Sequence, residues 1–147
     1  MPRRATRPEL ADAKSQGFHN IGEAAALTGV SAKMIRHYES IDLIPEAGRT
    51  FAGYRIYTDN HLHRIRFIKR ARTLGFSMKQ IHDLLGLWDD TKRSSADVKK
   101  LARAHADDLE ARIKEMEAMK RTLDHLAKRC HGDARPDCPI LDDLANI

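Results

Sequence analysis

The sequence predicts a mainly α-helical protein: a cluster of short helices with a small hairpin, then one long helix and a bent terminal loop. Three observations point there. Aromatic residues make up only 5% of the 147 residues and charged residues 32%, a balance suited to exposed helices rather than a β-sandwich. Apolar residues recur at helical spacing, and caps and breakers divide them into segments. From Ala96 to Arg129 neither glycine nor proline interrupts that spacing.

The elements follow in order. Residues 1–17 are basic and polar and lack the apolar stretch of a signal peptide. They read as a flexible N-terminal tail, with its boundary at residue 19. Asn20 caps a first short helix, with Glu23 three residues on in the manner of a capping box. Gly29 ends that helix in the left-handed conformation. Ser31 caps a second helix, Ala32 to Glu39, and Pro45 and Gly48 break the pattern. Residues 48–57 read Gly-Arg-Thr-Phe-Ala-Gly-Tyr-Arg-Ile-Tyr, so Gly53 lies between two β-prone runs, the signature of a small hairpin or wing. Thr58 caps a third helix, Asp59 to about Leu74, and Gly75 ends it. Ser77 with Gln80 opens a fourth, which reaches Trp88 before Asp89-Asp90-Thr91 interrupts. These segments form one small domain over residues 20–90, followed by a long helix within 91–129 and a terminal loop segment over 130–147.

The long helix would span about 50 Å. Its stripe contains Val98, Leu101, Leu109, Ile113, Met116, Leu123 and Leu126, with His105 and Met119 or Lys120 filling the gaps. A stripe of that length exceeds what a small domain covers. A partner helix in a coiled-coil homodimer is the natural solution.

Charge is unevenly placed. Residues 1–80 hold 14 Lys and Arg against 7 Asp and Glu, a net of +7; residues 81–147 hold 12 against 14, a net of −2. A basic N-terminal half suits a polyanionic partner. No apolar run approaches the roughly 20 residues of a membrane span, so the expectation is a cytoplasmic protein with no membrane role.

Ala25, Gly29 and Ile35 match the spacing of a helix-turn-helix. That motif needs a small residue where two helices cross, a glycine at the turn and an apolar anchor on the second helix. The second helix then presents Lys33, Arg36 and Tyr38 to the phosphates and base edges of double-stranded DNA. In the hairpin, Arg49, Tyr54 and Arg55 are placed to lie along the DNA backbone as a wing, whereas Tyr57 reads as core. The third helix carries Arg64, Arg66, Lys69, Arg70 and Arg72. Such a run is usually a solvated face; following a wing, it offers Arg72 as a further DNA contact.

The two cysteines, Cys130 and Cys138, enclose seven residues immediately after the long helix, in a loop bent by Gly132 and Pro136. Two thiolates with little else suit a soft monovalent ion such as Cu(I), Ag(I) or Au(I). Structural Zn(II) normally takes four ligands, and this is not a zinc-finger spacing. His131, Asp133 and Asp137 offer a divalent alternative, and an unliganded or redox-active thiol pair a third. No nucleophile–base constellation and no glycine-rich phosphate loop is present, which argues against an enzyme.

These motifs together resemble the MerR family of bacterial transcription regulators, and within it the copper-efflux regulators of the CueR and HmrR kind. The resemblance runs from Ile21 to Leu144. It rests on Ile21-Gly22-Glu23 through Thr28-Gly29-Val30, on Lys33 to Glu39, and on Gly53 to Tyr57. It continues through Ala71 to Ser77, Ser95 to Val98, and Cys130 to Ile140. It implies a winged helix-turn-helix domain joined to an antiparallel coiled-coil dimerisation helix and a C-terminal metal-binding loop. It places Lys33, Arg36 and Tyr38 on the recognition helix, and Arg49, Tyr54 and Arg55 on the wing. Cys130 and Cys138 become the metal-binding thiols. Ser95 falls beside the partner subunit's metal loop, where sensors of divalent metals carry a cysteine. The resemblance further implies promoter DNA and bacterial RNA polymerase as partners, and copper-homeostasis genes as the target. His131 departs from the copper-type pattern and is expected to face solvent.

Overall fold

Local capping sets the first half of the chain, as seen in the computed structural model, which describes residues 17–146. The expected tail lies outside the described residues, apart from its last positions. Helix α1 spans Ile21–Thr28; the Asn20 side chain accepts from the Glu23 N–H, and Gly29 closes the helix at φ 70°. Helix α2 spans Ala32–Ser40 and is capped by Ser31. Strands β1 (Gly48–Arg49) and β2 (Arg55–Ile56) pair antiparallel, Gly48 opposite Ile56 and Arg49 opposite Arg55. Helix α3, Asp59–Thr73, opens with a reciprocal capping box between Thr58 and His61. It closes with Phe76 N–H to Ala71 O and Gly75 N–H to Arg72 O, the Schellman arrangement, with Gly75 at φ 85°. Helix α4, Met78–Asp89, opens with a second capping box from Ser77 and Gln80.

The chain divides into two units, one ending at Arg93 and the other starting at Ser94. In the first, α1 packs on α2 and α3, and α3 on α4. Their common core holds Ile35, Tyr38, Ile44, Tyr57, Ile65, Ile68 and Ile81, each at most 2% exposed. Ala24 is fully buried in this core, and Ala25, the small residue of the spacing read in the sequence, is half-buried and packs against it. His19 also belongs to this fold and not to a tail: its N–H donates to Tyr57 O at 2.8 Å and its carbonyl accepts from Tyr57 N–H at 2.7 Å.

The second unit is α5, Ser95–Arg129, capped by Ser94, and a helix absent from the sequence reading, α6, Pro139–Ala145. Pro139 at the first helical position and Asp142 in the first turn are the local signals for α6. It packs back on the end of α5, where Leu126 is buried. Along α5 the apolar stripe is uncovered from Leu109 to Leu123, and Met119, 62% exposed, continues it.

Candidate nucleic-acid interface and metal loop

The turn of the helix-turn-helix is fixed by two cations from α3. Arg66 Nη2 donates to Leu27 O at 3.2 Å and Lys69 Nζ reaches Thr28 O at 3.5 Å, both at the carbonyl-rich end of α1. A Cβ at Gly29 would lie 2.5 Å from Lys69 Nζ, so the glycine serves both the left-handed turn and this close approach. Four of the five cations of α3 therefore divide by role, and Arg70 is exposed. Arg64 pairs with Asp89 at 2.7 Å, Arg66 and Lys69 brace the turn, and Arg72 joins α2.

On α2, Lys33 and Arg36 are exposed, as is His37. Tyr38 corrects the expectation of an outward recognition side chain. Its ring is core at 2% exposure, because the helical position three beyond Ile35 faces inward. Its hydroxyl oxygen accepts from Arg72 Nη1 at 3.0 Å. Tyr38 and Arg72 line an open cleft of about 420 Å³ with Ser31, Met34 and Lys69. The cleft thus brings the start of α2 and two α3 cations together, and it adds Lys69, one of five equivalent cations in the sequence.

The wing is held by Thr50, which is fully buried. Its N–H donates to Tyr54 O at 2.8 Å, its carbonyl accepts from Gly53 N–H at 2.9 Å, and its hydroxyl accepts from Tyr54 N–H at 3.1 Å. Arg49 is half-buried and its Nη1 donates to Gly53 O at 2.9 Å. Tyr54 is 63% exposed. Arg55 is half-buried, with Nε 3.6 Å from Glu39 Oε2.

Glu39, at the end of α2, is a residue the sequence reading did not single out. Oε1 accepts from Ala47 N–H at 3.1 Å, and Oε2 accepts from the Tyr57 hydroxyl at 3.3 Å while facing Arg55. One carboxylate therefore ties the recognition helix to the wing. Burial, and then the Glu39 charge, push the Tyr57 hydroxyl up to about 12. Two histidines, His61 and His105, are buried, each 6% exposed. His61 Nδ1 accepts from Thr58 N–H at 3.0 Å, which leaves Nε2–H to donate to Pro45 O at 3.1 Å.

In the second unit, Cys130 caps the C-terminal end of α5 and Cys138 occupies the N-cap of α6; both thiols are free and half-buried. The loop between them turns at Gly132, φ 66°. Asp133 is engaged by Arg135, with Oδ1 accepting from its N–H at 3.0 Å and Oδ2 from Nε at 2.8 Å and Nη2 at 2.7 Å. The Arg135 guanidinium holds the Asp133 carboxyl below its usual range. His131 and Asp137 are exposed. Among the described residues, no three His, Cys, Asp or Glu side chains converge as a metal-ligand group. Ser95 is the exposed first residue of α5.

Residues 19–87 match the description "MerR HTH family regulatory protein", and residues 62–126 match "MerR, DNA binding". The HTH-type transcriptional regulator HmrR of Sinorhizobium medicae is 56% identical over 126 residues, which is 86% of each chain. The chain belongs to the MerR family. The MerR-family regulator CueR of Salmonella typhimurium is 39% identical, over 86% of this chain and 91% of its own. Among solved structures, the transcription regulator PbrR691 of Ralstonia metallidurans, crystallised with lead(II), superposes with a TM-score of 0.75 at 32% identity. That match covers 86% of this chain and 99% of the other. As a MerR-family member the chain is a DNA-binding regulatory protein and not an enzyme. Among the described residues no helix is long and apolar enough to cross a membrane.

Proposed function

We propose that this chain is a homodimeric transcription activator that binds promoter DNA and responds to a soft monovalent metal ion, Cu(I), with Ag(I) or Au(I) chemically equivalent. The observation that carries the metal assignment is the donor set. Two free, half-buried thiols bracket one short loop; of the two carboxylates between them Asp133 is already engaged by Arg135, and no third His, Cys, Asp or Glu converges with the thiols among the described residues. Such a site offers two sulfurs and little else, which suits a +1 ion. Cys130 and Cys138 would hold the ion, and two thiolates around a single positive charge would leave the site at a net charge of −1. By the family resemblance Ser95 stands beside the partner's loop, and a serine there withholds the further thiolate that a divalent ion would favour.

The rest of the reading concerns the chain's own residues. Lys33 and Arg36 reach base edges and phosphates, and Lys69, Arg72 and the Tyr38 hydroxyl hold a phosphate at the cleft beside α2. Arg49, Tyr54 and Arg55 follow the backbone from the wing. The uncovered stripe from Leu109 to Leu123 pairs with that of a second copy, antiparallel as in the family. Both metal-free and metal-bound dimers occupy a pseudo-palindromic promoter whose two polymerase elements are too widely spaced. The activating arrangement bends and underwinds that DNA, which realigns the elements for bacterial RNA polymerase. The signal requires a difference in metal affinity between the two arrangements of the dimer, since equal affinity shifts nothing. Genes of copper export or chaperoning are the expected targets.

A divalent sensor is the second reading, favoured by the lead(II) complex of PbrR691. An anaerobic competition titration of the reduced protein with Cu(I) and with Zn(II) separates the two. The monovalent reading expects tight Cu(I) binding that Cys130→Ser abolishes, with weak Zn(II) binding. Tight Zn(II) binding without Cu(I) preference would overturn it. Binding of neither ion would also overturn it and point to thiol redox chemistry.

A further inference from the structure

We propose that Phe51, at the tip of the wing, is a DNA contact of a different kind from its neighbours. Its ring seats in the minor groove against the deoxyribose walls, next to the stretch read by α2. The wing arginines take phosphates on either side of it.

Three observations carry this. Phe51 is 77% exposed, the most exposed large apolar side chain among the described residues, so the fold gains little from the ring. The tip that presents it is braced. Thr50 bonds to both Gly53 and Tyr54, and Arg49 bonds to the Gly53 carbonyl, so the ring stands on a fixed turn. Arg49 and Arg55, paired opposite each other in the two strands, put two guanidinium groups beneath the turn, that of Arg55 with its Nε also facing Glu39. That charge selects a polyanion and not an apolar protein surface. A phenyl ring gains nothing from a phosphate, but the minor groove is walled by apolar sugar edges, and phenylalanine is among the side chains that proteins insert there.

The test uses the duplex that the wild-type protein selects from a random-sequence pool. Affinity is measured against salt concentration for wild type, Phe51→Leu, Phe51→Ala and Arg55→Ala, with hydroxyl-radical footprints of each complex. Phe51→Ala is expected to bind roughly tenfold more weakly, with Phe51→Leu between it and wild type. The salt dependence of Phe51→Ala should equal that of wild type, because no phosphate contact is lost, whereas Arg55→Ala should lower the slope by about one. The Phe51→Ala footprint should lose sugar protection only at the wing positions, and its melting temperature should be unchanged. Unchanged affinity and footprint would overturn the proposal and leave the ring to a protein partner. A weaker salt dependence in Phe51→Ala, or a lowered melting temperature, would overturn it in favour of an indirect effect.

Discussion

Arg72 Nη1 donates to the Tyr38 hydroxyl at 3.0 Å, joining α3 to the recognition helix across the mouth of the cleft. The pair divides labour between a charge and an anchor: the guanidinium is exposed, the tyrosine ring is core. Arg72→Ala should weaken DNA binding about five- to tenfold and lower the salt slope by about one. Tyr38→Phe keeps the ring and removes only the acceptor, so it should cost less affinity and leave the slope unchanged. Titrations at several salt concentrations check both; equal slopes for Arg72→Ala and wild type would remove Arg72 from the phosphate contacts.

Gly29→Ala should lower stability by about 1 kcal/mol through the positive φ at the end of α1. Lys69 Nζ, the atom nearest a new Cβ, is the far end of a flexible chain and can move aside. Urea denaturation measures the loss. The displaced lysine should also weaken DNA binding, an effect that a purely conformational cost would not produce.

Tyr57 gives the fold an alkaline limit. Its hydroxyl titrates near 12 in the folded protein against 10.0 for the free side chain. The stabilisation is therefore complete below pH 10 and is lost as pH rises toward 12, by at most about 3 kcal/mol. Tyr57→Phe has no such group, so its stability should fall less over that interval. Thermal melts of both proteins from pH 9 upward test this; parallel pH curves would count against it.

Cys130→Ser and Cys138→Ser should each abolish metal-induced transcription while leaving the DNA affinity of the metal-free protein within about twofold, because the thiols and the residues proposed to face DNA belong to separate units. Gel-shift titration alongside run-off transcription distinguishes the two effects. A folded variant that no longer binds DNA would contradict the separation.

Ile113→Lys should convert the proposed dimer to a monomer. Ile113 is 49% exposed in the single chain, and a charge placed mid-stripe would be buried in a coiled-coil seam. Sedimentation equilibrium reads the mass directly; an unchanged dimer would move the interface elsewhere.

What the sequence disclosed was mostly local. Asn20, Ser31, Thr58 and Ser77 announce helix starts because a cap involves residues three apart, and each start is found where its cap predicts. The long α5 was legible from its period and its lack of breakers. The division of the α3 cations was not, since Arg64, Arg66, Lys69 and Arg72 differ only in which distant partner each meets. The inward turn of Tyr38 follows from its helical phase with Ile35, a signal that the helix-turn-helix reading of α2 passed over. Glu39 gave no local sign of its three partners. Helix α6 did, through Pro139 and Asp142, but it starts inside a segment that otherwise reads as loop.

The Glu39 carboxylate has a mechanical consequence. Because it fastens the end of α2 to Ala47, Tyr57 and Arg55 at once, the two parts proposed to meet DNA share one stiff mount. A stiff reader cannot flex to follow a duplex of the wrong shape. In any complex that strains, the compliance lies in the DNA, whose resistance to bending and untwisting then sets how much work a change of state in the dimer must perform.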